Sequence, residues 1–325
     1  MTKKVFGWAA SNNDGCNFYR IKTPLAEIKK LGHEVEHNTK WFKKWMDADV
    51  LIGQRMYQTG PGATFFNACN SDINYCVLEV DDDLFTVEDH NPAHKYLKPE
   101  NLRMFRYAAT SAQAITVSTD YLANVMSQFN DNVHVIKNAL PEDNFNLPPV
   151  DQFTDNISIG WQGSPTHSED WKRSSDALLR VLRANSSVVL RTRGTDYGRD
   201  LVEPYRYVHS AWCEPEDLAS SLDFQIGLCP IQPTPFNASK SAIKVYEYWV
   251  RGIVPIATNY GPYREAITHG YDGFLAKTPK DWENYMSLLI NDTDLRQEMS
   301  ANALLSVQQH RISSRTELWA KALNL

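Results

Sequence analysis

The sequence has 325 residues, of which 42% are hydrophobic and 22% charged, and its formal net charge is −6. Two domains are expected because a single core stops growing below this length, and the acidic balance excludes a basic nucleic-acid platform. The sequence lacks an apolar stretch of about 18 residues and a signal-peptide segment, and its cysteines form no CxxC pair, so we predict no membrane span and a cytoplasmic protein with reduced thiols.

The first half of the chain alternates short apolar runs with helical patterns, which is typical of β-α-β units and a parallel sheet. In chain order the predicted strands are residues 4–9, HEVEH, ADVLIGQ, NYCVLEV, AITVST and VHVIKNA. A helix with Leu25, Ile28 and Leu31 on one face follows the first strand and is expected to end at Gly32. These elements predict one complete doubly wound domain.

Residues 140–154 are rich in proline, aspartate and asparagine and show no hydrophobic period, which predicts a linker. The alternation then restarts. The predicted strands are ISIGWQGS, VVLRTRG, FQIGLCP, VPIAT and GFLA, and the predicted helices cover residues 174–184, 214–221, 241–251 and 263–269, followed by two terminal helices.

The predicted fold class is therefore α/β, with two tandem doubly wound, Rossmann-like domains that face a cleft where ligands bind. The domains are expected over residues 1–145 and 155–310. We expect the last helix, in residues 311–325, to pack back on the first domain.

One predicted helix of the second domain carries three charged residues on one face. Lys240, Lys244 and Glu247 follow one another at spacings of four and three residues. Lysines beside the free N–H groups of a helix start bind anions, and a carboxylate one turn further on can accept hydrogen bonds from a ribose diol. The same spacing also fits an ordinary ion pair of Lys244 with Glu247 on a solvated helix.

A longer pattern surrounds this helix within residues 236–276. Its members are Lys244, Glu247, Tyr248, Gly252, Pro255, Ala257, Gly261, Pro262, Tyr263, Arg264, Glu265, His269, Gly270 and Gly273. The pattern closely resembles the nucleotide-sugar signature of the retaining family 4 glycosyltransferases (glycosyl transferases group 1), which have the GT-B fold. The resemblance covers the second domain, including IGWQGSPTHSEDW and LDFQIGLCPIQPTPFN; over the first domain it rests on YRIKTPLAEIKKLGHEV and VDDDLF.

The resemblance implies an enzyme that moves a sugar from a nucleoside-diphosphate sugar to a hydroxyl acceptor, with retention and without a catalytic metal. The second domain would bind the donor, a UDP-sugar as the first choice, and the first would bind the acceptor. No cofactor is expected beside this co-substrate. The acceptor is open, because a glycan, a protein, a modified nucleobase or a small molecule all fit, and the sequence does not set the oligomeric state.

The resemblance also assigns roles to residues of the second domain. It implies that Glu247 holds the ribose and that Lys240 or Lys244 neutralises the diphosphate, with Arg193 as a helper. The other residues expected around the donor phosphates are Gly163 and Ser164 in the turn after the first strand, and His167, which contacts the phosphates or caps the following helix.

Ser239 departs from the family pattern. Many members have a glutamate eight residues before the ribose glutamate, where it contacts the donor sugar, and this chain has Ser239 there. We still place Ser239 and Ser241 in the donor site, but the donor sugar is open. Two alternatives to a glycosyltransferase therefore stay open: a sugar-nucleotide-binding protein without turnover, and a GT-B-shaped epimerase that acts on the donor itself.

In the first domain, SNNDGCNFYR follows the first strand. Gly15 can adopt a positive φ there and bring backbone N–H groups to the leaving diphosphate. Arg20 can reach the same phosphates, and the alternative for Arg20 is an exposed pairing with a nearby carboxylate.

The stretch VLEVDDDLF places three aspartates directly after a predicted strand. A metal site is one reading, but the resemblance implies that cations of the protein neutralise the leaving group. We therefore expect Asp81 or Asp83 to orient the acceptor hydroxyl, since neighbouring carboxylates raise one another's pKa. Helix capping and loop hydrogen bonding form the alternative.

Overall fold

The computed structural model describes residues 1–12, 14–71, 75–154 and 156–325, without the side chain of Lys44. Asn13 of the predicted phosphate loop and Asn74 of the predicted fourth strand lie outside the described residues. The chain divides into two compact units. Unit 1 contains Met1–Pro141, Ala238–Ser241 and Arg311–Leu325; unit 2 contains Glu142–Asn237 and Ala242–His310.

Unit 1 contains a parallel six-stranded sheet with the strand order β2-β1-β3-β4-β5-β6. Its strands are β1 (Lys4–Trp8), β2 (Glu34–Asn38), β3 (Val50–Gln54), β4 (Tyr75–Val80), β5 (Ala114–Val117) and β6 (Val133–Val135). Its helices are α1 (Gly15–Asn17), α2 (Thr23–Lys30), α3 (Thr59–Cys69), α4 (Pro99–Ser111) and α5 (Asp120–Met126). The sequence analysis did not place α3 to α5, which supply the crossovers that parallel strands need.

Unit 2 contains a second parallel six-stranded sheet with the order β12-β11-β10-β7-β8-β9. Its strands are β7 (Ser158–Gly163), β8 (Val189–Gly194), β9 (Tyr207–Ser210), β10 (Ile226–Cys229), β11 (Val254–Thr258) and β12 (Phe274–Ala276). The helices that follow β7 in the chain, as far as Ser306, are α6 (Ser168–Ala184), α7 (Pro215–Leu218), α8 (Pro235–Ser239), α9 (Ile243–Trp249), α10 (Gly261–Ala266), α11 (Pro279–Asn291) and α12 (Thr293–Ser306).

The burial of the strands follows from this arrangement. The central strands β3, β7, β10 and β11 are buried at every position, as expected where helices cover both faces of a parallel sheet. Edge strand β2 is mostly exposed. The predicted fold class, an α/β chain with two doubly wound sheets, is confirmed.

A final helix, α13 (Thr316–Ala322), belongs to unit 1. Trp319, Ala322 and Leu323 lie in the same buried cluster as residues of β1, β3 and α2. Unit 2 has a separate buried cluster that includes Trp161 and Trp282. Within the described ranges, no helix combines the length and the apolar character needed to cross a membrane.

Candidate functional site

The carboxyl ends of β7 and β8 form a tight turn in unit 2. Gly163 pairs in register with Gly194, and the N–H of Thr195 donates to the Gly163 carbonyl over 2.9 Å. Gly194 has a φ of +91°, and a Cβ there would lie 2.4 Å from the Gly163 oxygen. A Cβ on Gly163 would lie 2.5 Å from the Trp161 ring. Both positions need glycine, and the carboxyl ends of parallel strands are where such sheets bind ligands.

Ser164 and His167 follow this turn. Ser164 precedes the short 3-10 helix Pro165–His167, and its hydroxyl lies 2.7 Å from that of Thr166. His167 Nδ1 lies 2.8 Å from one oxygen of the buried Asp170, whose other oxygen accepts hydrogen bonds from Gln232 and Asn237. In the described part of the chain, His167 makes no side-chain hydrogen bond that caps α6. The imidazole is therefore oriented by Asp170 and does not act as a helix cap.

Lys244 and Glu247 lie on α9 and are both buried, with 7% and 2% of their surface exposed. A Glu247 oxygen accepts a hydrogen bond of 2.8 Å from Gln162, the neighbour of Gly163 in β7. Lys244 Nζ lies 5.4 Å from the centre of the Trp161 ring. The burial does not fit an ion pair on a solvated helix. The two side chains converge instead on the end of β7.

The same two charges act on Cys229 at the end of β10. Burial raises the pKa of the Cys229 thiol to about 12, while the Lys244 charge lowers this pKa and the Glu247 charge raises it. A cation and a carboxylate thus lie within electrostatic reach of the ends of two neighbouring strands. An ammonium group in such a setting can neutralise an anion, and the carboxylate can accept hydrogen bonds from hydroxyl groups.

The prediction that Lys240 shares a helix face with Lys244 and Glu247 is wrong. Helix α9 begins only at Ile243, so the backbone at Lys240 is not helical and the spacing argument does not reach it. Lys240 belongs to unit 1, where its Nζ lies 3.6 Å from a carboxylate oxygen of Asp82.

Ser239 and Ser241 also lie in unit 1. The Ser239 hydroxyl accepts a hydrogen bond of 3.0 Å from the Asp83 N–H, and its carbonyl accepts one of 3.1 Å from Thr119. The Ser241 hydroxyl accepts one of 2.8 Å from Asn138. In this geometry both predicted donor-binding hydroxyls hold the 238–241 segment against unit 1.

Arg193, the predicted helper at the diphosphate, lies on β8 and uses its guanidinium for the backbone of unit 2. It donates to the carbonyl of Ala211 over 3.1 Å and to that of Ser221 over 3.2 Å. Arg193 therefore ties the loop after β9 to the end of the α7 region.

Arg20 is buried, with 1% of its surface exposed, and pairs with Glu79 over 2.6 Å. It also donates to the Ile136 carbonyl and to the Asn138 side chain, and its guanidinium carbon lies 5.0 Å from the centre of the Trp319 ring. The alternative for Arg20, pairing with a carboxylate, is the one observed, but inside the protein and not at its surface.

The expectation of a left-handed backbone at Gly15 is wrong, since Gly15 is absent from the described glycines with positive φ. The physical reason is the neighbouring Asp14, whose carboxylate accepts a 2.7 Å hydrogen bond from the Asn17 N–H. This N-cap starts a right-handed turn at Gly15.

Asp81, Asp82 and Asp83 follow β4, and the structure gives them different surroundings. The Asp81 carboxylate lies 3.4 Å from Arg55, and that of Asp82 lies 3.7 Å from Arg55 as well as near Lys240. Asp83 uses both oxygens locally, accepting from the Phe85 N–H over 3.0 Å and the Thr86 hydroxyl over 2.9 Å. Loop hydrogen bonding therefore accounts for Asp83.

Arg55 is the residue that the sequence analysis missed at this edge. It follows β3 with a φ of +48°, an uncommon backbone angle for a residue with a side chain, and it also lies 3.7 Å from Asp14. Cys16, Asp81 and Asp82 offer ligand atoms within 4.8 Å of one another, but the Arg55 guanidinium contacts both carboxylates. Burial raises the pKa of Asp82, while Lys240 and Arg55 lower it. The available signal was a single arginine directly after the predicted strand ADVLIGQ.

Comparison with known proteins relates one segment of the chain to a family and the whole chain to a fold. Residues 239–305 match the family model described as glycosyl transferases group 1. No curated protein matches the chain at a significant level. Among solved structures, HepE of Anabaena with UDP-glucose has a TM-score of 0.72 and 14% identity over 99% of each chain.

Two further similar structures have lower identity or coverage. Sucrose-phosphate synthase of Thermosynechococcus elongatus has a TM-score of 0.71 and 9% identity over 99% of this chain and 97% of that chain. TarM of S. aureus has a TM-score of 0.62 and 15% identity over 85% of this chain and 55% of that chain. These structures share the fold, and the family model matches the segment with Lys244 and Glu247. The predicted resemblance to the group 1 glycosyltransferases is confirmed for residues 239–305, and the GT-B fold is confirmed by the structural comparison.

Proposed function

We propose that this chain transfers a sugar from a UDP-sugar to a hydroxyl acceptor, with retention and without a catalytic metal. In the proposal, unit 2 binds the donor and unit 1 the acceptor. The observation that carries it is the burial of Lys244 and Glu247 beside the Gly163 turn, in the segment that matches the family. HepE and TarM have been solved with UDP bound, which makes UDP the first nucleotide to test.

The proposed chemistry depends on the leaving group. Negative charge grows on the bridging phosphate oxygen as the sugar–oxygen bond breaks, and the Lys244 ammonium stabilises that charge. The effect of the charge is larger in a buried setting than in water. Glu247, oriented by Gln162, accepts hydrogen bonds from the ribose hydroxyls. Retention follows from attack on the face from which the diphosphate departs, with no covalent intermediate on a carboxylate.

Two residues keep their predicted roles as proposals with different support. Asp81 orients the acceptor hydroxyl, and its carboxylate is held by Arg55. Lys240 assists at the diphosphate only if it leaves Asp82, its present partner. The cytoplasmic location predicted from the sequence stays a prediction.

The test is a thermal-shift panel with UDP, GDP, ADP, CDP and their sugars, with and without EDTA. A ligand at about a hundredfold over its Kd adds roughly 2.7 kcal/mol of stability, a shift of several degrees. We expect a UDP shift that EDTA does not change and that Glu247→Gln removes. The matched control is Glu298→Gln, which removes the same charge from an exposed residue of unit 2.

Analysis of the reaction products then distinguishes transfer from the two alternatives. Release of UDP from UDP-glucose that requires an added acceptor supports transfer. Binding without any turnover would instead favour the binding protein, and a changed sugar on intact UDP would favour the epimerase. A shift that appears only with a divalent metal would contradict the metal-free proposal.

A further inference from the structure

We propose that Trp212 is the stacking platform for the nucleobase of the donor, an inference that rests on the proposed function. Trp212 lies two residues after the end of β9 (Tyr207–Ser210), and 45% of its surface is exposed. No aromatic ring of the described residues stacks on its indole. A half-exposed indole at the carboxyl edge of a sheet suits the flat ring of a base, since base–aromatic stacking tolerates any base.

Trp212 is in contact with the predicted phosphate turn. The position of a Cβ on Gly194 would lie 2.9 Å from the indole and 2.4 Å from the Gly163 carbonyl oxygen. The absence of side chains at these glycines therefore brings the indole edge against the turn. A base stacked on Trp212 would lie beside the groups that face the diphosphate.

The predicted ribose group lies along the same edge. Glu247 is bonded to Gln162, which precedes Gly163, and Gly163 pairs with Gly194, which touches Trp212. Neighbouring strands are about 4.8 Å apart, so the ends of β7, β8 and β9 span roughly 10 Å. Glu247, the Gly163 turn and Trp212 thus lie at neighbouring strand ends of unit 2, close enough together for one nucleoside diphosphate to reach all three.

The loop that carries Trp212 is held in place on both sides. Arg193 donates to the carbonyl of Ala211, directly before Trp212, and to that of Ser221. Cys213, directly after it, has its Sγ 3.7 Å from the Ser221 hydroxyl. A platform that is already fixed loses little freedom when a ligand binds. This assigns Arg193 a positioning role through Trp212, in place of direct contact with the phosphates.

Tyr205 provides a matched control. Its surface is 80% exposed, but it lies before β9, whereas Trp212 lies after β9. The two aromatic residues therefore lie at opposite ends of one strand. Binding of UDP and of ribose 5-diphosphate, which lacks the base, is measured by calorimetry for the wild type, Trp212→Ala, Trp212→Phe and Tyr205→Ala, with the melting temperature of each recorded.

We expect Trp212→Ala to weaken UDP about tenfold, within the range known for loss of one base–aromatic stack, and to leave ribose 5-diphosphate unchanged. Trp212→Phe should retain most of the UDP affinity but lose the quenching of tryptophan fluorescence by UDP. Tyr205→Ala should behave as the wild type. Wild-type UDP affinity in Trp212→Ala, or an equal loss for both ligands, would overturn the inference while leaving donor binding intact. A wild type that binds no nucleoside diphosphate would instead overturn the proposed function and this inference with it.

Discussion

Glu79 is a fully buried carboxyl group in unit 1, and its partner Arg20 is buried with it. Burial raises the pKa of Glu79 to about 7, the Arg20 charge lowers it and the Asp81 charge raises it. A buried ion pair of this kind contributes less than its short distance suggests, because both groups lose their hydration.

This pKa predicts a pH dependence of stability. Because the folded pKa lies above the unfolded value of about 4.3, the contribution of Glu79 is fully present below pH 4.3 and is lost as pH rises through about 7. Each unit of pKa corresponds to about 1.36 kcal/mol, so the loss between the unfolded and the folded pKa approaches roughly 4 kcal/mol. Urea unfolding of the wild type and Glu79→Gln at pH 4 and pH 8 measures it.

The wild type should lose stability relative to Glu79→Gln between these pH values, while the exposed control Glu298→Gln should follow the wild type. Equal pH slopes for wild type and Glu79→Gln would show that Glu79 titrates normally in the folded protein.

Lys244, Glu247 and Gly163 became candidate site residues through the resemblance of two local motifs to the group 1 glycosyltransferases. The surroundings of Arg20 and Arg55 were not predictable in this way. Glu79 is 59 positions from Arg20 in the chain, and Asp81 is 26 positions from Arg55. Such pairs form only when the strand order brings the ends of β3 and β4 and the first helical turns together.

At the scale of elements, the loop after β4 contains two aspartates with different surroundings, of which Asp83 is structural and Asp81 is a candidate functional residue. Asp83 bonds to Phe85 and Thr86, and its N–H donates to Ser239. Among the described residues, no neighbour in this loop donates a hydrogen bond to the Asp81 carboxylate, which lies beside Arg55.

We therefore predict that Asp83→Ala lowers the stability of unit 1 by about 1–3 kcal/mol, since it leaves two partly buried donors without their acceptor. Asp81→Asn should keep the melting temperature within a few degrees, retain UDP binding and donor hydrolysis, and lose transfer. Melting curves and a paired assay of transfer and hydrolysis test both variants. Normal transfer by a folded Asp81→Asn enzyme would remove Asp81 from the acceptor site.

One of the elements that the sequence analysis missed, strand β9, is short and partly exposed. Strand β9 has four residues, of which the central two are exposed, so its hydrophobic alternation is weak. Helix α9 was expected from residue 241 but begins at Ile243, while Ser239 ends α8 and the Ser241 hydroxyl accepts a hydrogen bond from Asn138. Asn138 is 103 positions from Ser241 in the chain, so local spacing does not predict this contact.

For the whole molecule, the two hydrophobic cores predict two unfolding events. Trp319 lies in the core of unit 1 and Trp282 in that of unit 2, and 2% and 1% of their surfaces are exposed. Replacing either tryptophan by alanine should lower the free energy of unfolding by about 3–5 kcal/mol. If the units unfold separately, each substitution lowers a different transition.

The ligand distinguishes the two transitions. Since the proposed donor residues Lys244, Glu247 and Trp212 belong to unit 2, UDP should raise only the transition that Trp282→Ala lowers. Trp319→Ala should retain the wild-type Kd for UDP even though its unit 1 transition falls. Calorimetric scans of both variants with and without UDP make the comparison. A single transition that both variants lower and UDP raises equally would mean that the chain unfolds cooperatively, with stability shared between the cores.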